Sequence, residues 1–187
     1  SPEFFSERAE GQNDGTRALR QPGSTLKPFV YAAAMEQLDM TGATLLPDVE
    51  LHLPGAHGAY APKNYDGRFH GPVRLREALA SSLNVPAVHT ARRIGPVRVL
   101  TMLRRVGIES LLGVGAHYGA AIALGDGEVK LTELARAYSV LGRGGLTRPL
   151  RYALSAKSGD GRSHQATTAP AERVLDARVA AMLTDIL

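Results

Sequence analysis

The sequence of 187 residues predicts an α+β fold in which helices dominate. Apolar residues recur at helical spacing in six segments, which are 24–39, 73–81, 85–93, 97–106, 132–141 and 174–187. Strand-like stretches are short and few, at 49–53 and 146–155. The sequence contains no internal repeat and no linker long enough to separate two domains. We therefore expect residues 1–187 to form one domain or part of one.

The composition supports a folded domain and excludes several kinds of site. Hydrophobic residues make up 44% of the chain, which is enough for one sizeable core. Without cysteine, disulfides and thiolate metal sites are excluded, and the six histidines show no ligand spacing. We expect no metal and no cofactor. The net charge of +4 suits an anionic wall polymer as well as nucleic acid.

No apolar run approaches the ~18 residues that a membrane-spanning helix needs. The first residues also lack the charged and apolar regions of a signal peptide. We therefore expect any membrane anchor or export signal to lie outside this sequence.

The first helix opens from a tight turn. Pro22-Gly23 is a turn dipeptide, and apolar helical spacing begins at Leu26. Pro28 fits only the first turn of a helix, where backbone N–H groups have no intrahelical partner. These signals place Ser24 at the N-terminus of the helix.

Ser24 and Lys27 have the spacing of a nucleophile and its base. Residues three apart on a helix share a face, so the lysine amine can approach the serine hydroxyl. The helix N-terminus stabilises a developing alkoxide, and burial lowers the pKa of a lysine. The alternative is a helix-capping serine followed by a solvated lysine.

Glycine and proline residues mark the boundaries of the elements that follow. Residues 41–72 predict an irregular connection with short strands, and 82–84 predict a turn between two helices. Gly95-Pro96 separates the next two helices. A glycine-rich stretch, 107–127, precedes the helix at 132–141, and residues 157–161 predict a turn.

Several segments resemble the transpeptidase domain of class A penicillin-binding proteins. The resemblance rests on 20–31, 64–73, 76–79 and 82–87, and it extends to 123–125, 128–145 and 180–187. Glu3-Phe4-Phe5 and residues 82–88 are most similar to the 1C-type branch. The resemblance implies a penicillin-binding-protein/β-lactamase-like serine acyl-transferase fold. This fold has an antiparallel sheet flanked by helices and a helical subdomain, and we expect the helical part to dominate here.

The resemblance also implies the roles of four residues. Ser24 is then the acylated nucleophile and Lys27 its general base, while Ser82 and Asn84 form the S-x-N motif on the opposite wall. Ser82 is expected to be catalytic, because a hydroxyl can relay a proton between the lysine and the leaving group. Asn84 is expected to bind substrate, because a carboxamide offers a peptide both a donor and an acceptor.

The third motif of the family is K-[TS]-G on an edge strand. Lys157-Ser158-Gly159 matches these letters, but it leads into the hydrophilic turn Asp160-Gly161 and precedes the last helix. We interpret it as a coincidental match and expect the working motif beyond Leu187. The oxyanion hole would then lack one donor, which typically costs about 10²–10³ in rate. We therefore expect these residues alone to acylate poorly.

The function implied is peptidoglycan D,D-transpeptidation by acyl transfer from a D-Ala-D-Ala stem peptide to a neighbouring stem amine. Expected partners are stem peptides and β-lactams, with a membrane contact only through an upstream anchor, on the periplasmic side of the inner membrane. Alternatives are a D,D-carboxypeptidase or β-lactamase-type hydrolase, and a non-catalytic module that binds wall peptides. Nucleic-acid binding would need the arginines at 92, 93, 98, 104 and 105, which we interpret as solvated helix faces.

Overall fold

The computed structural model describes residues 3–55, 58–151, 153–165 and 169–187. The α-helices of these residues are α1 Lys27–Leu38, α2 Leu75–Ala80, α3 Asn84–Ile94, α4 Pro96–Arg105, α5 Gly115–Tyr118, α6 Leu131–Gly142 and α7 Ala177–Ile186. Two 3₁₀ helices cover Gly23–Leu26 and Gly119–Leu124. All six predicted helices are present within a few residues of their expected bounds. The glycine-rich stretch, for which the sequence predicts no element, contains α5 and the second 3₁₀ helix.

The strands pair two by two, and every pair is antiparallel. The strands are β1 Leu19–Arg20, β2 Leu45–Asp48, β3 Leu53–Gly55, β4 Gly58–Tyr60, β5 Gly71–Arg74, β6 Val129–Lys130, β7 Leu146–Thr147, β8 Ser155–Lys157, β9 Ser163–Gln165 and β10 Glu172–Arg173. The pairs are β1–β6, β2–β5, β3–β4, β7–β10 and β8–β9. The α+β class is confirmed. Within the described residues, the antiparallel pairing takes the form of two-stranded ribbons.

The strand predicted over 146–155 is not continuous. In the described part of this segment only its ends, Leu146–Thr147 and Ser155, are in strands. Pro149 lies between them, and a proline cannot donate the N–H that a central ladder needs. The hydrophobic pattern of the segment therefore predicted a longer strand than the structure contains.

Helix α1 is the centre of the core. Nine consecutive residues, from Lys27 to Met35, are buried, and the helix packs against α3, α4 and α7. A helix that is buried on all sides needs apolar residues on all sides, and the run Phe29–Met35 supplies them. No helix in the described ranges is long and apolar enough to cross a membrane.

Glu36 joins three helices through one carboxylate. It lies near the end of α1, pairs with Arg105 at the end of α4, and accepts a 2.9 Å hydrogen bond from the backbone N–H of Asp176. Asp176 caps α7 by accepting from the Arg178 N–H at 2.8 Å. These contacts fix α4 and α7 against the central helix.

Candidate active site

Ser24 lies in the 3₁₀ turn that leads into α1. Gly23 adopts a φ of 58°, a left-handed conformation that favours glycine, and the Lys27 N–H donates to the Ser24 carbonyl. Pro28 occupies the first turn of α1, as predicted. The Ser24 side chain is exposed, and its hydroxyl has no hydrogen-bond partner among the described residues. It is therefore free to meet a ligand.

A tyrosine from α6 holds this turn from the side. The Tyr138 hydroxyl donates to the Thr25 carbonyl at 3.0 Å, and its ring meets Phe29 edge to face with 5.4 Å between centroids. The Thr25 hydroxyl donates in turn to the Pro22 carbonyl at 2.6 Å. Sequence reasoning did not identify Tyr138, because its partner lies 113 residues away in the chain.

The glycine-rich stretch presses against the same turn. Gly125 ends the second 3₁₀ helix with a φ of 85°, and a Cβ placed there would lie 2.2 Å from the nitrogen of Gly23. A side chain at 125 would clash with the Gly23 backbone, so this close approach requires glycine at position 125. The glycine-rich stretch therefore helps to set the position of the Ser24 turn. Its sequence pattern alone did not predict this role.

The amine of Lys27 contacts both residues of the S-x-N motif. Nζ donates to the Ser82 carbonyl at 2.5 Å, the Ser82 hydroxyl at 3.1 Å and the Asn84 Oδ1 at 2.7 Å. An ammonium group has three N–H donors, so these three acceptors satisfy it completely. The structure thus brings together three of the four residues selected from the sequence, and Ser24 lies one turn away on the same segment.

Burial changes the acidity of Lys27. Its side chain is 1% exposed, and removal from water lowers its pKa from 10.5 to about 8. Within the described ranges, no carboxylate lies within ion-pair distance of Nζ to oppose this effect. The lowered pKa favours the neutral amine, which is the form that accepts a proton.

Ser82 is held in an unusual backbone conformation. Its φ is 52°, which a residue with a Cβ rarely adopts, and this turns its carbonyl and hydroxyl toward the same amine. Asn84 is the first residue of α3, and its Nδ2 donates to the Lys63 carbonyl at 2.8 Å. The predicted turn at 82–84 therefore presents two carbonyl-type acceptors and one hydroxyl to Lys27.

Lys157, Ser158 and Gly159 lie elsewhere. Lys157 is the last residue of β8, and all three residues are exposed. The Ser158 hydroxyl donates to the nearby Asp160 carboxylate. The β8–β9 ribbon is exposed along its length and pairs only with itself in the described part of the chain. This position supports the interpretation of the triplet as a coincidental match.

Two of the five arginines considered for nucleic-acid binding are engaged within the protein. Arg104 donates to the carbonyls of Leu111 and Gly113 at 2.8 and 2.9 Å, and Arg105 pairs with Glu36. Their role here is to hold a loop and a helix. No group of three metal-ligating side chains converges in the described residues.

Known proteins are similar to this chain in sequence and in fold. The family model described as penicillin binding protein transpeptidase domain matches residues 3–187. Penicillin-binding protein 1C of Escherichia coli (strain K12) is 41% identical over 141 residues, which cover 75% of this chain and 18% of that protein. The chain thus spans about a fifth of the length of this curated relative.

Solved structures share the fold. The crystal structure of penicillin-binding protein 1A from Haemophilus influenzae has a TM-score of 0.86 and 26% identity, over 98% of this chain and 31% of that one. Penicillin-binding protein A from M. tuberculosis, solved as an imipenem acyl-enzyme complex, has a TM-score of 0.82 over 99% of this chain and 47% of that one. At 23% identity, the second likeness concerns the fold alone.

Proposed function

Because the chain belongs to the penicillin-binding protein transpeptidase family, on the class A side represented by penicillin-binding protein 1C, we propose that it carries the acyl-serine site of a peptidoglycan D,D-transpeptidase. The observation that supports this most strongly is the buried amine of Lys27, which bonds to Ser82 and Asn84 and belongs to the residue three positions after the exposed Ser24. The substrate is a stem peptide ending in D-Ala-D-Ala.

In the first step, the Ser24 hydroxyl oxygen attacks the carbonyl of the penultimate D-Ala, and its proton passes to the neutral amine of Lys27. The C–O bond of the ester forms as the C–N bond to the terminal D-Ala breaks. The leaving amine takes a proton from Lys27 by way of Ser82. Because the bond energy is kept in the ester, no ATP is needed.

The Ser82 hydroxyl is suited to that relay because, of the three acceptors bonded to Nζ, it alone can also donate a hydrogen bond. The Ser82 carbonyl and the Asn84 Oδ1 accept in every protonation state. When Lys27 loses a proton, its lone pair can accept from the Ser82 hydroxyl at the same place. Proton transfer then needs a rotation of one hydroxyl and no movement of the backbone.

Asn84 is proposed to orient the substrate. Its Oδ1 is occupied by Lys27, and one N–H of its amide is occupied by the Lys63 carbonyl. The second N–H of that amide can donate to a carbonyl of the stem peptide. The amide therefore links the position of the substrate to that of the base.

The second step completes the cross-link. The amine of a neighbouring stem peptide attacks the ester carbonyl, the C–O bond to Ser24 breaks, and the proton returns to the serine oxygen. β-Lactams should acylate Ser24 in the same way, as imipenem does in penicillin-binding protein A. The reaction belongs outside the cytoplasmic membrane, where peptidoglycan is polymerised, so we propose an extracytoplasmic location.

The test is intact-mass spectrometry after incubation with penicillin, followed by peptide mapping. It uses these residues and the longest natural chain that contains them, with Ser24→Ala as the control. An adduct on Ser24 that is absent from Ser24→Ala supports the acyl-serine site. Rapid release of the adduct by water would favour a carboxypeptidase or β-lactamase. No adduct on either chain would overturn the proposal in favour of a non-catalytic module.

A further inference from the structure

The S-x-N turn receives its support from a distant side chain. Leu83 precedes α3 and offers no side-chain cap, while the first N–H groups of a helix have no intrahelical partner. The N–H groups of Asn84 and Val85 both donate to the Asn64 Oδ1, at 2.8 and 3.2 Å. The next residue, Pro86, has no N–H. Asn64 therefore acts as the cap that the local sequence lacks.

The amide of Asn64 can adopt only one orientation. Its Nδ2 donates to both oxygens of Asp48, at 2.8 and 2.9 Å, and to the Arg68 carbonyl at 2.8 Å. A flipped amide would direct donors at the two helix N–H groups and an acceptor at the Asp48 carboxylate. Asn64 is 4% exposed, so water cannot replace these bonds.

Asp48 anchors the amide to a rigid ribbon. It is fully buried at the end of β2, opposite Gly71 of β5, and it accepts from the His70 backbone N–H at 3.0 Å and contacts His70 Nδ1 at 2.6 Å. Burial of a carboxylate is costly unless it is bonded on all sides. These contacts fix Asp48, and through it the direction of the Asn64 amide.

We propose that Asp48 and Asn64 are positioning residues, which hold the S-x-N turn at the distance from Lys27 that acyl transfer requires. The inference rests on the proposed function of Lys27, Ser82 and Asn84. Neither residue touches the reacting atoms. The chain of contacts runs from Asp48 through Asn64 to Asn84, and from the Asn84 Oδ1 to the lysine amine at 2.7 Å.

The expected effect on rate is large because the chain of contacts is short. A misplacement of catalytic groups by about 1 Å can cost about 10²-fold in rate. A network with a merely structural role would lower stability while leaving the acylation rate of the folded protein unchanged. The two roles can therefore be separated by measuring both quantities.

The experiment compares Asp48→Asn and Asn64→Asp with wild type in the longest natural chain that contains these residues. Both changes are nearly isosteric. Asp48→Asn places two amides opposite one another, and Asn64→Asp places two carboxylates opposite one another. Hydrogen-exchange mass spectrometry follows a peptide covering 82–88, and the rate of penicillin acylation is measured on the same samples. We expect exchange at Asn84 and Val85 to rise about tenfold, and acylation to fall about 10²-fold.

A matched control changes a similar contact away from the site. Asp176 caps α7 by accepting from the Arg178 N–H at 2.8 Å, so Asp176→Ala also removes a carboxylate that accepts from the first turn of a helix. It should lower stability without changing exchange over 82–88 or the acylation rate. The double variant Asp48→Asn with Asn64→Asp restores a donor–acceptor pair and should recover part of the lost protection.

The outcomes separate this inference from the proposed function. If wild type forms the adduct but both single variants keep its exchange and acylation rate, the positioning role is wrong and the proposed function stands. If wild type forms no adduct, the proposed function is wrong, and unchanged exchange over 82–88 in both single variants would overturn the positioning role as well. Should the single variants not fold, His70→Gln, which keeps the backbone bond to Asp48, must show the same changes to a smaller extent, and unchanged exchange there would overturn the inference.

Discussion

Two lysines of this chain are each accompanied by a serine, and their surroundings differ in every respect. Lys27 is 1% exposed at the start of the central helix, and its amine is bonded to three acceptors from another segment. Lys157 is exposed at the end of a ribbon that pairs only with itself in the described residues. The comparison shows that motif letters do not encode burial or hydrogen-bond partners, although burial is what lowers the pKa of Lys27.

The difference extends to the serines. Ser82 is held at a φ of 52° so that its carbonyl and hydroxyl face Lys27. Ser158 lies in a turn, where its hydroxyl donates to a neighbouring carboxylate, as serines in turns commonly do. A motif in a turn of the surface is thus satisfied by its own residues. The amine of Lys27, by contrast, takes its hydrogen-bond acceptors from Ser82 and Asn84, which are far away in the sequence.

The sharpest test of the comparison is to remove each lysine in turn. Lys27→Ala should reduce penicillin acylation by about 10²–10⁴-fold, because the general base is lost. Lys157→Ala should leave the rate unchanged and alter the free energy of unfolding by no more than about 0.5 kcal/mol. Acylation kinetics and thermal unfolding of both variants measure this. Normal acylation by Lys27→Ala would refute the role of the base.

The pH dependence of acylation tests the environment of Lys27. Since burial lowers its pKa to about 8, the rate should rise with pH and level off above that value. Each pH unit below it should cost about tenfold. Stability should also increase as pH rises from about 8 to 10.5, because the unfolded chain holds more protons in that window. A rate that is flat between pH 6 and 9 would contradict the assignment.

The close approach of Gly125 to Gly23 predicts a loss of stability on adding a methyl group. Gly125→Ala should destabilise the fold by about 1–3 kcal/mol, because the new Cβ meets backbone and φ is positive. Gly142→Ala is the matched control, since no atom lies within 4 Å of its Cβ position. It should be neutral or stabilise by up to about 1 kcal/mol. Chemical denaturation of both variants distinguishes them, and equal effects would exclude the proposed contact.

The smallest expected effect concerns His70. Its hydrogen bond to Asp48, and then the charge of Asp66, raise the pKa of this side chain above its ordinary value of 6.5. The stability that it contributes is present in full below about 6.5 and is lost as pH rises through the raised pKa. His70→Gln should therefore lower Tm more at pH 5.5 than at pH 9. A difference of the same size at both pH values would show that the charge of His70 is unimportant.

The sequence predicts most of the helical fold because its signals are local. Pro28 and the apolar run after it identify the start of α1, and Gly95-Pro96 identifies the break between α3 and α4. The prediction of one strand over 146–155 was wrong because the apolar pattern was given more weight than Pro149, which cannot donate to a ladder. The 3₁₀ helix at Gly119–Leu124 was missed because Gly119 and the glycines on either side of the helix, Gly115 and Gly125, favour a loop in the sequence pattern.

The candidate site could be predicted only in part. Ser24, Lys27, Ser82 and Asn84 were selected through motif spacing and resemblance, and their catalytic and binding roles stay predictions. Asp48 gave one weak signal. It lies two residues after Leu46 on β2, so the two side chains share a face of the strand, and both are buried. A charged residue on an apolar strand face suggests a buried network. Its partners Asn64 and His70 lie in the segment 64–73, which contributes to the family resemblance, but the sequence assigned neither of them a role.

The placement of Lys27 on α1 decides what partial unfolding would remove first. Helices α3, α4 and α7 pack against α1, and the Glu36 carboxylate on α1 holds the end of α4 and the start of α7. Segments that lack buried contacts, such as the β8–β9 ribbon, open at low free energy, whereas the most buried helix opens only with the whole domain. A protease should therefore trim the ribbon while the lysine keeps its partners, so the site lasts as long as the fold itself.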